Sequence, residues 1–239
     1  MGAVVASAVV TALAAVVHPT PMATIPAGEY LPFFQASPGK GKTRAAPAPI
    51  WMPSFRLDAV PVTNGQFLDF VREHPEWRKS RVKAVFADHR YLESWRSDLK
   101  LPDERAAAEP VTNVSWFAAE AYCEAKGLRL PTTEQWEYAF ADKGRKQNEV
   151  EQQSLDWFST PNPKRLRAVG RGEPNGYGVY DMVGLVWEWT LDFNSFMTGT
   201  EQRNTSSKDD AAFCGNALRS SLKANYTVEN VGFRCEADQ

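Results

Sequence analysis

The stretch that most constrains this chain is residues 175–190, NGYGVYDMVGLVWEWT. Its first half is turn chemistry. Asn175-Gly176 and Gly178 supply backbone freedom that side-chained residues lack. Its second half, Val186-Trp187-Glu188-Trp189, has the composition of a buried strand or tight turn with a carboxylate set between two indoles. Asp181 and Glu188 flank Gly184, and a chain bent at Gly184 could bring both carboxylates onto one hard cation, with backbone carbonyls completing the shell. The simpler alternative makes Glu188 a buried acid paired with an arginine and Asp181 a turn cap. Spacing alone favours that second reading.

At 239 residues and a net charge of −2, the chain has the size of one large domain and no nucleic-acid footprint. Residues 1–17 are apolar and uncharged, which suits the core of a signal peptide better than a membrane span. No Lys or Arg precedes this run, and Met22 offers a second start. The expected organisation is a leader over 1–21 and a single domain over 22–239. Export to the periplasm or beyond is expected, with a cytoplasmic protein the alternative if 1–21 is not a signal. No membrane span is expected in the mature chain. The partner is expected to be a protein or small molecule.

The three histidines, His18, His74 and His89, are scattered and form no metal-ligand pair at helical spacing. The eight tryptophans are spread along the chain like core anchors. Three cysteines occur, Cys123, Cys214 and Cys235, so at least one thiol has no partner within the chain.

Strands are expected over 24–34 and 51–57. Three helices follow from their caps. Thr63 with Gln66, and Thr132 with Gln135, form capping boxes. Ser115 caps a helix over 116–126 closed by Gly127. The apolar stripes are Phe67, Phe70 and Val71; Trp116, Ala119 and Cys123; and Trp136, Ala139 and Phe140. Residues 76–109 form a polar, basic and irregular excursion with short helices, expected to present a solvated face. The tetrapeptide Pro61-Val62-Thr63-Asn64 recurs as Pro110-Val111-Thr112-Asn113, marking two similar strand-to-helix corners. Few helices, short strands and long loops define an irregular α+β domain whose loops carry the function.

Four segments, Val62–Phe67, residues 113–139, residues 175–189 and Asn230–Cys235, together resemble the formylglycine-generating enzyme, or sulfatase-modifying factor, family, in the family's order. The resemblance implies a C-type-lectin-like α+β fold. It implies a structural calcium held by Asp181, the carbonyls of Gly184 and Val186, and Glu188. It also implies a disulfide between Cys123 and Cys235, which would stabilise the fold by about 4 to 5 kcal/mol in the chain-entropy picture. Aerobic members use two cysteines to bind copper(I). Here only Cys214 stands in that neighbourhood, near Asp209, Asp210, Arg219 and Ser220, and the ligands give no support for copper or iron. The family match therefore implies a divergent member with an oxidative, maturation or accessory role other than sulfatase activation. Cys214 is its candidate catalytic thiol. A non-catalytic binding or assembly module for another metalloenzyme is the alternative.

Overall fold

The structure is a computed structural model. It describes residues 20–31, 48–141, 163–192 and 223–238, with a few positions between 152 and 160. Cys214 and its neighbours Asp209, Asp210, Arg219 and Ser220 lie outside the described residues, as does the apolar leader.

The described chain is an α+β arrangement of short strands, β1 (Met22–Ile25), β2 (Gly28–Tyr30), β3 (Ile50–Met52), β4 (Phe55–Asp58), β5 (Trp187–Glu188), β6 (Val231–Gly232) and β7 (Glu236–Asp238), with helices α1 (Asn64–Glu73), α2 (Trp116–Ala125) and α3 (Thr133–Phe140). β4 is the centre of an antiparallel sheet, β1-β4-β7. β2 and β3 form an antiparallel pair, and β5 and β6 a parallel one. The two long strands expected from sequence are each divided. Pro26-Ala27 separates β1 from β2, and Pro53-Ser54 separates β3 from β4. Proline has no N–H to give to a ladder, so pairing stops where it occurs.

The three helices start where their caps place them. The side chains of Thr63 and Thr132 accept from the amides of Gln66 and Gln135, whose own side chains reach back to close the boxes. Ser115 Oγ accepts from the Ala118 amide. Gly127, at φ +68, ends α2 in the left-handed conformation that glycine adopts without steric cost. Phe67, Phe70 and Val71 are buried as the stripe of α1 predicts.

The two PVTN corners pair with each other. The Val111 amide donates to the Val62 carbonyl at 2.9 Å, and Thr63 and Pro110 form an antiparallel bridge. Asn64 fastens this junction. Its Nδ2 lies 3.1, 3.2 and 3.1 Å from the carbonyl oxygens of Ala106, Glu109 and Pro110, and its Oδ1 accepts from the Trp95 indole at 2.8 Å.

This junction corrects the sequence reading of residues 76–109. The excursion is more than a solvated face, because Ala87, Tyr91, Leu92, Trp95 and Ala106 enter the core. Its isolated aromatics carry no helical period, so nothing in their spacing announces burial.

Two apolar clusters fill the interior. One joins α1 and α2 to Trp189 and Phe233; the other lies between α3 and the strands β1 and β4. Cys123 of α2 is bonded to Cys235, 112 residues on, with a Cα separation of 5.6 Å. The covalent link thus ties α2 to the residue just before β7.

Candidate functional site

The segment 175–190 folds in the two halves that its composition suggests. Asn175 Oδ1 accepts from the amides of Tyr177 and Val179, both at 3.0 Å, and its Nδ2 donates to the Ala139 carbonyl on α3. Gly178 and Gly184 take φ of +83 and +84. The chain then enters β5, which pairs with β6 in parallel register, Trp187 opposite Val231 and Glu188 opposite Gly232. Gly232 is needed there, because a Cβ would stand 2.8 Å from the Val111 carbonyl oxygen.

Glu188 has no solvent contact and neither has Arg234. Arg234 Nε donates to Glu188 Oε2 at 2.7 Å, and Nη2 donates to Oε1 at 2.8 Å. The Trp136 indole also donates to Oε2, at 2.7 Å. The remaining guanidinium donors reach the carbonyls of Asp58 and Tyr180, each at 3.1 Å. A buried charge requires this degree of compensation. Glu188 therefore has the arginine partner that the simpler sequence reading gives it. Arg234 was not singled out from sequence. The available signal was a lone arginine inside the apolar run Val231-Gly232-Phe233-Arg234-Cys235, where an unpaired cation cannot be buried.

Asp58 lies in the same interior. Its Oδ2 accepts from the Cys235 amide at 2.9 Å, and its own amide donates to the Cys235 carbonyl. Its Oδ1 is buried with no hydrogen-bond partner. Burial pushes its pKa up to about 7, and the nearby Glu188 charge adds to that, against the opposing Cys235 hydrogen bond and Arg234 charge.

Asp181 sits at φ +57, a conformation that Asp tolerates better than most side-chained residues. Its Oδ2 accepts from the Gly170 amide at 2.6 Å. Its Oδ1 stands 2.7 Å from Arg167 Nη1 yet has no aligned hydrogen bond, so that contact is one of charge proximity. Arg167 is substantially exposed, whereas the Asp181 side chain is fully buried.

The sequence candidates thus fall into three places. Asp181, Gly184, Val186 and Glu188 lie on one turn and the strand after it. Cys123 and Cys235 are joined. Cys214 lies outside the described residues, but both borders of its segment are held at the start of α2. The Trp116 indole donates to the Thr190 carbonyl at 2.9 Å, and the Trp116 amide donates to the Ala224 carbonyl at 3.0 Å. Among the described residues, no group of three or more His, Cys, Asp or Glu side chains could hold a metal ion, and no helix is long and apolar enough to cross a membrane.

Short paired strands, few helices and a buried motif next to a long connection define an α+β domain of the formylglycine-generating type. The chain belongs to the sulfatase-modifying factor enzyme 1-like domain family, whose model matches residues 10–239. It is 32% identical to mouse formylglycine-generating enzyme over 54% of this chain and 44% of that one. It is 31% identical to bovine inactive C-alpha-formylglycine-generating enzyme 2 over 76% of each chain. Against hercynine oxygenase of Mycobacterium tuberculosis the identity is 31% over 58% of this chain and 38% of that one. The chain therefore spans less than half the length of two of these three relatives. Among solved structures, PvdO of Pseudomonas aeruginosa superposes with a TM-score of 0.55 at 15% identity, covering 91% of this chain and 94% of that one. At that identity the likeness concerns the fold.

Proposed function

We propose that this chain is a divergent member of its family with an oxidative or maturation role other than sulfatase activation, centred on a single thiol, Cys214. The observation that carries this reading is the Cys123–Cys235 bond. The chain has three cysteines, so that bond leaves Cys214 alone. A site needing two thiolates for a soft metal such as copper(I) cannot then be assembled within this chain. A similar hercynine oxygenase is consistent with oxidative chemistry on this scaffold. A buried disulfide also suits an oxidising compartment, which supports export.

The proposal is tested by thiol counting and trapping. The folded protein should show one reactive thiol, and after mild peroxide treatment a dimedone adduct at Cys214. Cys214→Ala should show neither. Three free thiols in protein prepared without reductant, or a Cys214 that never reacts while folded, would remove the reading.

Calcium belongs to the same proposal as a structural ion. Asp181 Oδ1 is a buried carboxylate oxygen without an aligned donor, and Arg167, being exposed, is free to withdraw from it. Glu188 Oε1 receives one donor, against two at Oε2. These carboxylate oxygens and the carbonyls of Gly184 and Val186 are hard oxygen ligands of the kind calcium takes. Arg234 cannot withdraw, so the site would be a weak one. Calcium should raise the melting temperature of the wild-type chain and leave that of Asp181→Ala unchanged. An equal response in both would remove Asp181 from the site.

The second reading, a non-catalytic assembly module, is favoured by the similarity to a relative whose own name calls it inactive. It predicts that Cys214→Ala retains full biological function.

A further inference from the structure

Asp181 is a carboxylate without solvent contact whose ion-pair partner stands at the surface. Its Oδ2 is held by the Gly170 amide at 2.6 Å, while Oδ1 has no aligned donor and faces Arg167 Nη1 at 2.7 Å. The Arg167 side chain is 41% exposed. Apart from Asp181, its one hydrogen-bond partner among the described residues is the carbonyl of its own neighbour Ala168, at 3.5 Å. Gly172 borders both groups. A Cβ there would lie 3.7 Å from Asp181 Oδ1 and 3.8 Å from Arg167 Nη2, so the glycine keeps the space beside the carboxylate open.

The backbone around Arg167 is fastened without it. Arg165 donates to both oxygens of Asp103, at 2.8 and 2.9 Å, and to Glu109 at 2.6 Å. The Val169 amide donates to the Ala108 carbonyl at 3.0 Å, and the Gly170 amide is bound to Asp181. Swinging the Arg167 side chain into water therefore breaks none of the bonds that hold residues 165–170 in place.

Charge sets the consequence. Two carboxylates, Asp181 and Glu188, face two guanidiniums, Arg167 and Arg234. Arg234 has no solvent contact and spends its donors on Glu188 and two carbonyls. Asp58 adds negative charge toward Glu188 only as it ionises around its pKa of about 7. Of the two cations, only Arg167 can leave. A buried Asp181 without it lacks a counter-charge, a cost that a hard cation relieves. A guanidinium and a divalent ion at one carboxylate repel each other, so each weakens the hold of the other.

Resting on the calcium reading given above, we propose that Arg167 is the resident counter-cation of that site. Its guanidinium neutralises Asp181 while calcium is absent and withdraws into solvent when calcium binds. Arg167 thereby sets how much calcium the protein needs.

The test titrates calcium chloride into the EDTA-stripped full chain by calorimetry, at about pH 6, where Asp58 is mostly protonated. Arg167→Gln should bind calcium about tenfold more tightly than the wild type. Arg167→Lys, which keeps the charge, should stay closer to the wild type. So should Arg171→Gln, which removes the same charge from an exposed neighbour on this segment. In EDTA, Arg167→Gln should melt below the wild type, and calcium should close that gap, whereas a bridge that only holds the fold together leaves the gap open. Calcium should also speed phenylglyoxal labelling of Arg167 in the wild type, followed by mass spectrometry. If the wild type takes calcium, Asp181→Ala does not, and Arg167→Gln binds like the wild type, this proposal falls and the calcium reading stands. If neither the wild type nor Arg167→Gln takes calcium, both fall. An Arg171→Gln affinity equal to that of Arg167→Gln would reduce the effect to net charge and overturn the proposal.

Discussion

Replacing Glu188 by Gln would keep the shape of the side chain and remove its charge, which makes it the sharpest probe of the interior. The glutamate holds three donors at 2.7 to 2.8 Å, two from Arg234 and one from Trp136. A glutamine has one acceptor oxygen, and its NH₂ would have to face a guanidinium or indole donor. Arg234, with no solvent contact, would remain charged and uncompensated. Breaking a buried pair in this way costs about 3–5 kcal/mol. With a urea m-value of about 2–3 kcal/mol/M for a domain of this size, the midpoint should fall by roughly 1–2 M. The assay is urea unfolding followed by tryptophan fluorescence, with EDTA present so that bound metal plays no part. The double variant Glu188→Leu/Arg234→Met should lose less than the sum of its two single variants, by about 3 kcal/mol, because it leaves no orphan charge. A Glu188→Gln midpoint unchanged from wild type, or strictly additive single variants, would refute the account.

Asp58 gives a pH signature. Its folded pKa of about 7 is raised above the ordinary value of 3.8, so the folded state holds this proton more tightly than the unfolded state. The stability contribution is fully present below about pH 4 and is lost as pH rises to about 7, a change on the order of 4 kcal/mol. Asp58→Asn should flatten that part of the pH–stability curve, and an unaltered slope between pH 4 and 7 would refute the assignment. Asn64→Asp should be worse than Asn64→Ala in thermal melts, by about 2 kcal/mol or more, since it turns a carboxylate oxygen toward three carbonyls; equal losses would show that the amide donors do not matter. Reduction of the Cys123–Cys235 bond under mild denaturant should lower stability by about 2–5 kcal/mol, and an unchanged urea midpoint in reductant would show that the link is dispensable.

The parts of the fold legible in the sequence are those written in local chemistry. A capping box needs only two residues three apart, so α1 and α3 declare their starts, and Gly127 declares the end of α2. The order of the motifs identified the family before any contact was known. Long-range choices were not legible in the same way. Nothing local in Trp95 says that its indole will meet Asn64, or that the Asn64 amide will gather three carbonyls from the far end of the excursion, Ala106, Glu109 and Pro110. The partner of Glu188 was likewise hidden. The carboxylate announced that it needed compensation, but a calcium and an arginine satisfy that need equally well on paper, and only packing brought Arg234 to it.

The connection that contains Cys214 is bounded by the same interior. β5 and β6 are parallel neighbours, and parallel strands require a crossover connection of a dozen residues or more. The chain between Glu188 and Val231 is that connection, and it contains Cys214. The structure describes this crossover at its borders: Asp192 receives the Thr133 amide and hydroxyl, and Trp116 holds Thr190 and Ala224. Glu188 stands on β5 and Arg234 two residues after β6, so their ion pair holds the register from which the crossover starts and to which it returns. The stabilising chemistry and the proposed reactive thiol are thereby separated along the chain. Substitutions at Glu188 or Arg234 therefore act on the frame from which the crossover starts and to which it returns.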